Sequence, residues 1–135
     1  MRPIKFLCLD VGTKRIGVAA ADSATKLAYP LTTIIVDGHE LETLAALISS
    51  ENATQLIVGY PRNQQGETTK QTEYVEQFVA SLEPLGIAVA YQDESLTSVV
   101  AEQHLVQSKK PYSKDDIDAH AAAVILTDYI EAHHA

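Results

Sequence analysis

The chain has 135 residues, with 10 Lys and Arg against 18 Asp and Glu for a net charge of −8, and it is 46% hydrophobic. That balance describes one domain able to bury a core, and it excludes a disordered chain. The single cysteine, Cys8, excludes an internal disulfide and a multi-cysteine zinc site, while no run approaches the ~18 apolar residues that span a bilayer and the N-terminal apolar stretch is too short for a signal peptide. The expectation is a cytoplasmic protein with no membrane contact.

In chain order, residues 4–10 (IKFLCLD) and 15–21 (RIGVAAA) read as strands around a Val11-Gly12-Thr13-Lys14 turn. Residues 27–36 (LAYPLTTIIV) read as a third strand whose Pro30 marks an edge or a bulge, which makes an antiparallel meander. Leu41, Leu44, Ala45 and Ile48 recur at helical spacing, residues 55–59 (QLIVG) form a short buried strand, and Tyr74, Val75, Phe78, Val79 and Leu82 mark a second helix stopped by Pro84 and Gly86. Residues 87–91 (IAVAY) give a fifth strand, followed by helices over about 97–107 and 115–131. The order is βββαβαβαα. Crossover helices require parallel, right-handed connections, so strands four and five extend the sheet beyond strand one and make it central. A ligand site is then expected beyond the carboxyl ends of the strands, near Asp10, Gly59 and the end of strand five.

Charge is segregated along the chain. Residues 37–83 hold eight acids and two bases, and most of the remaining bases fall at Lys14-Arg15 and at Lys109-Lys110 with Lys114 nearby. A locally positive rim on an acidic protein is therefore possible, although solvated surface charge is the ordinary reading of each residue.

Three acids stand out. Alternation puts Phe6, Cys8 and Asp10 on one face of strand one, and Asp93-Glu94 follow strand five directly. A turn aspartate and helix-start acids are the plainer alternatives. In the last helix Ser113 and Asp116 fit a capping box, whereas Asp118 shares a face with Ala121, Ala122, Ile125 and Tyr129, the side that should lie on the sheet. Asp115 is the reserve candidate and Asp116 the weakest. If Asp10, Glu94 and Asp118 converge at one sheet edge, their repulsion calls for cations, and hard oxygen ligands suit Mg²⁺ or Mn²⁺. A pair of such ions about 3.5–4 Å apart could activate water for in-line displacement at a phosphodiester.

The strings LDVGTKRIGVA (9–19), LIVGYPRNQQGE (56–67), QDESLT (92–97) and IDAHAAAVIL (117–126) resemble, in order, the four blocks of the RuvX/YqgF family of RNase H-like proteins. That family is named for Holliday junction resolution by similarity to RuvC and is also implicated in maturing the 5′ end of pre-16S rRNA. The resemblance implies an α/β fold of RNase H type, a mixed five-stranded sheet with helices on both faces. It implies a two-metal nuclease whose metal-binding and catalytic acids are Asp10, Glu94 and Asp118, with Mg²⁺ or Mn²⁺ as cofactor. It also implies a basic turn at Gly12, Thr13, Lys14 and Arg15, and a substrate-side loop at Pro61, Arg62 and Asn63 with Gly66 and Glu67. Lys109 and Lys110 are further candidates for phosphate contact. Two positions depart from the family pattern: Ser95 stands where Arg is usual, and Tyr60 replaces a residue that is commonly aliphatic, a change read as harmless.

His120 reads as a surface or rim residue, His133 and His134 as a frayed tail, and Cys8 as a small core residue. Gly12 and Gly17 serve turn or packing needs or a close approach to phosphate. The expected partner is nucleic acid, either pre-rRNA or branched DNA, and the expected state is a monomer or a homodimer. Two other classes remain open. One is nucleotide binding, since a DxGT hairpin also resembles the phosphate-binding turn of the actin and sugar-kinase superfamily, although 135 residues contain only one such turn. The other is a non-catalytic nucleic-acid or ribosome-assembly module, to which Ser95 lends weight.

Overall fold

The computed structural model describes residues 3–63, 65–94 and 114–133, with side chains of the last helix described from Ile117 onward. The helix expected over 97–107 and the residues Ser95, Lys109, Lys110 and Ser113 lie outside them, as do the side chains of Asp115 and Asp116. Five strands form one sheet: β1 (Lys5–Val11), β2 (Arg15–Asp22), β3 (Tyr29–Ile35), β4 (Gln55–Pro61) and β5 (Ala88–Glu94). Their spatial order is β3-β2-β1-β4-β5, with β1 to β3 antiparallel and β4 and β5 parallel to β1. Strand one is central, as the crossover argument requires. Helix α1 (Glu40–Ser50) precedes β4, α2 (Lys70–Ala80) precedes β5, and α3 (Lys114–His133) closes the described chain.

Alternation sorts the core into two layers. Leu7, Leu9 and Val11 of β1, Ile16 and Val18 of β2, and Leu56 and Val58 of β4 pack with α1 and α2. Phe6 and Cys8, Ala19 and Ala21, and Ile57 face the other way and meet Ala122, Ile125, Leu126 and Tyr129 of α3. In the second layer β2 presents only alanines, Ala19 and Ala21, to α3, so the helix approaches that strand closely. A fully buried Leu or Ile contributes roughly 1.5–3 kcal/mol, and Leu7, Leu9, Leu56, Ile57 and Leu126 are completely buried.

Several boundaries differ from those expected. The third strand begins at Tyr29 rather than residue 27, because Asp22 caps a turn through Ala24 N (3.0 Å) and Thr25 N (2.7 Å) and Lys26 adopts a left-handed φ of 59°. Leu27 is left exposed outside the strand. Pro30 faces Ala19 at a register shift on the sheet edge, where its missing N–H costs no ladder bond. Helix α2 starts earlier than its apolar positions suggest, since Thr69 and Thr72 form a reciprocal capping box. The largest difference for the site is in β5, which runs three residues further than expected. Its parallel ladder continues through Tyr60 opposite Asp93 and Pro61 opposite Glu94. The two acids therefore belong to the strand and not to a helix start.

Candidate active site

Asp10 sits one residue before the end of β1, half-buried, on the face that α3 covers. Glu94 ends β5, two strands away. What lets them meet is the residue between: a Cβ on Gly59 of β4 would collide with the Glu94 carboxylate and lie 2.9 Å from Ile125 Cδ1. The missing side chain leaves a trough across β4, and Glu94 leans through it to hydrogen-bond Asp10. Burial first, then the charge of Asp118, raises the Asp10 pKa to about 6. Burial first, then Asp10, raises Glu94 to about 8. Both shifts favour the protonated form, so the pair is disposed to retain a proton where free carboxylates have lost theirs. Glu94 Oε2 is buried without a hydrogen-bond partner, an arrangement that proteins rarely leave unless something else is bound there.

Asp118 arrives from α3. The helix rests on β2 at Gly17, the residue opposite Asp10 in the ladder, where a Cβ would collide with the Asp118 carbonyl and lie 2.9 Å from Ala119 N. Gly17 is thus a packing glycine that sets the height of the helix above Asp10. We predict that Gly17→Ala lifts α3, lowers stability by about 2 kcal/mol as overpacking does, and weakens any divalent-cation binding. Thermal melts with and without Mg²⁺ read both effects, and an unchanged melting temperature would refute the close contact.

The partner that an acid on the sheet-facing side of α3 requires is Arg15, the first residue of β2. Its Nε donates to Asp118 Oδ2 at 2.7 Å, and both side chains are largely covered. The guanidinium expected to meet phosphate thus holds Asp118 through its Nε. Asp10 and Glu94 are joined directly while Asp118 lies beside them on an arginine, and among the described residues no three His, Cys, Asp or Glu side chains close on one point.

The remaining expected contacts divide. Gly12 tightens the hairpin: its N–H donates to the Arg15 carbonyl at 2.9 Å, and a Cβ would stand 2.6 Å from that oxygen. Thr13 and Lys14 are exposed at the tip, next to Asp10 in the hairpin. Asn63 holds its own loop, its Oδ1 accepting from Gln65 N at 3.0 Å and Glu67 N at 2.9 Å. It closes the loop for which a substrate contact is expected, and it is exposed there. Arg62 is exposed but engaged, 3.4 Å from Asp93 and over the Tyr60 ring at 5.0 Å. Tyr60, expected to be a harmless replacement, also meets Tyr91 edge to face at 4.9 Å. Cys8 is a core residue, its thiol pKa raised by burial and then by Asp10 and Glu94. His120 is half-buried.

A family model described as "RuvX: Holliday junction resolvase" matches residues 4–132. The chain belongs to the RuvX family. Two curated relatives carry the name "Putative pre-16S rRNA nuclease": one from a Sulfurihydrogenibium species is 36% identical, over 94% of this chain and 90% of its own length. Another from a Roseiflexus species is 39% identical, over 96% of each chain. Among solved structures, Thermus thermophilus RuvC in complex with a Holliday junction substrate superposes with a TM-score of 0.60 at 14% identity, covering 96% of this chain and 95% of that one. The likeness establishes a RuvC-like, RNase H-type fold for this RuvX chain. Among the described residues no helix is long and apolar enough to cross a membrane.

Proposed function

We propose that this protein is a metal-dependent nuclease that hydrolyses phosphodiester bonds in structured nucleic acid, trimming the 5′ end of a 16S rRNA precursor in the cytoplasm. The observation that carries this reading is the Asp10–Glu94 pair, two carboxylates forced together under cover with one oxygen unpartnered. Such a pair is poorly balanced alone and well matched to a hard divalent cation. Asp10 and Glu94, with Asp118 beside them, would hold Mg²⁺ or Mn²⁺. When bound, the cation supplies Lewis acidity at the phosphate and lowers the pKa of an attacking water. Arg15 orients Asp118 and balances its charge, and Lys14, exposed at the hairpin tip, would meet a neighbouring phosphate. Resolution of a branched DNA junction is the competing activity; it would call for a symmetric dimer, because two related strands must be cut.

The test is a labelled panel, a 5′-extended rRNA-precursor fragment and a four-way DNA junction, incubated with Mg²⁺, Mn²⁺ or EDTA. Cleavage of the RNA with either metal and none in EDTA is expected. Cleavage of the junction alone would transfer the assignment to DNA, and cutting that survives EDTA would remove the metal from it.

A further inference from the structure

Tyr60 and Tyr91 stand on the opposite face of the sheet from the carboxylates, at the same carboxyl end. Tyr91 lies on the edge strand three residues before Glu94, about 10 Å of strand rise along the chain. It keeps 41% of its surface exposed. Its ring is not loose: the edge-to-face contact with Tyr60 at 4.9 Å, the Arg62 guanidinium at 5.0 Å over Tyr60 and the Arg62–Asp93 pair at 3.4 Å brace it as one assembly. A cavity of about 370 Å³ opens here, lined by Tyr60, Arg62, Glu76, Tyr91, Gln92 and Asp93.

The lining suits a nucleobase better than a phosphate. Two carboxylates against one arginine disfavour a dianionic or backbone group, yet carboxylate oxygens and a glutamine amide match the N–H and amino donors on a base edge. An aromatic ring beside them supplies the stacking surface. A paired base has its edge occupied and its faces covered, so only an unpaired one can enter.

We propose that Tyr91, braced by Tyr60 and Arg62, forms a stacking subsite for one unpaired nucleobase of a single-stranded RNA segment near the bond to be cut. The inference rests on the nuclease reading for its place in catalysis, and it explains how a site reading only phosphate and metal would prefer an RNA extension to a fully paired junction.

The experiment uses the full chain in EDTA, where the reading above predicts no cutting, and a short RNA carrying a single 2-aminopurine. Wild-type protein should quench the probe in the single strand and not in the annealed duplex. Tyr91→Ala should abolish the quenching and weaken binding roughly 5- to 100-fold, the range of a lost base–aromatic stack, while Tyr91→Phe retains both. Tyr91→Leu keeps an apolar side chain on the strand but no π face, so it should behave as the alanine variant even if alanine disturbs folding. Quenching that persists in Tyr91→Leu, or equal binding of duplex and single strand, overturns the subsite. Parallel assays with Mg²⁺ separate the two readings: quenching without cleavage supports the subsite and sinks the nuclease, whereas cleavage without quenching does the reverse.

Discussion

Asp10→Asn and Glu94→Gln should each reduce Mg²⁺-dependent cleavage by at least about 10³-fold, the equivalent of roughly 4 kcal/mol of lost transition-state stabilisation, while making the metal-free protein more stable. Both effects have one cause. The carboxylates are held together against their repulsion because the fold, through the gap at Gly59, brings them there. An amide in place of either acid removes the repulsion and still offers a hydrogen bond. At pH 8 in EDTA the gain should be about 1–2 kcal/mol, which for a chain of this size is several degrees in melting temperature. An ordinary core residue would lose stability on substitution, and a surface residue would change neither quantity. Opposite movement of activity and stability is what marks a site kept at a stability cost. Melts and cleavage assays on the same preparations decide it; a variant that cuts at the wild-type rate removes that acid from the proposed mechanism.

What is legible in the amino-acid sequence depends on whether the signal is local. Period-two alternation and the Pro and Gly stops identify all five strands, and the same alternation sends Asp10 to the face of Phe6 and Cys8, while the 100° step of a helix sends Asp118 toward the sheet. These are properties of a few neighbouring residues. The end of strand five is not legible, because QDE carries no apolar alternation; on an edge strand half in water none is needed, and its ladder to β4 holds it in place. The partner of Asp118 is not legible either, since Arg15 is 103 residues away and its pairing exists only once the helix lies on β2. Gly17 and Gly59 are visible as glycines, but what each makes room for belongs to another element. Asn63 does carry a local signal: an Asn three residues before Gly66 marks an Asx-type loop closure, whereas the substrate-side role expected of this loop comes from the family resemblance and not from its residues alone.

The metal-free protein should also lose stability as the solution is made more alkaline, over a range where most proteins change little. Asp10 and Glu94 have folded-state pKa values of about 6 and about 8 against ordinary values of 3.8 and 4.5. Between about pH 4 and pH 8 the folded chain therefore keeps protons that the unfolded chain has released. Stability falls with pH wherever the native state binds more protons. The contribution is complete below the ordinary carboxylate range and is lost as pH passes through the folded values. Its size is on the order of 3 kcal/mol or more, because each tenfold gain in proton affinity on folding is worth about 1.4 kcal/mol. Other groups titrate too, so the quantity to follow is the wild-type stability minus that of the double variant Asp10→Asn, Glu94→Gln, measured by urea unfolding in EDTA from pH 5 to 8.5. That difference should decline steadily. Saturating Mg²⁺ should reverse the trend, because a cation binds the deprotonated pair and its stabilisation grows as the competing proton leaves. A difference that stays flat with pH would mean the two carboxylates do not share a proton, and a Mg²⁺ gain equal at pH 5 and pH 8 would mean the cation binds elsewhere.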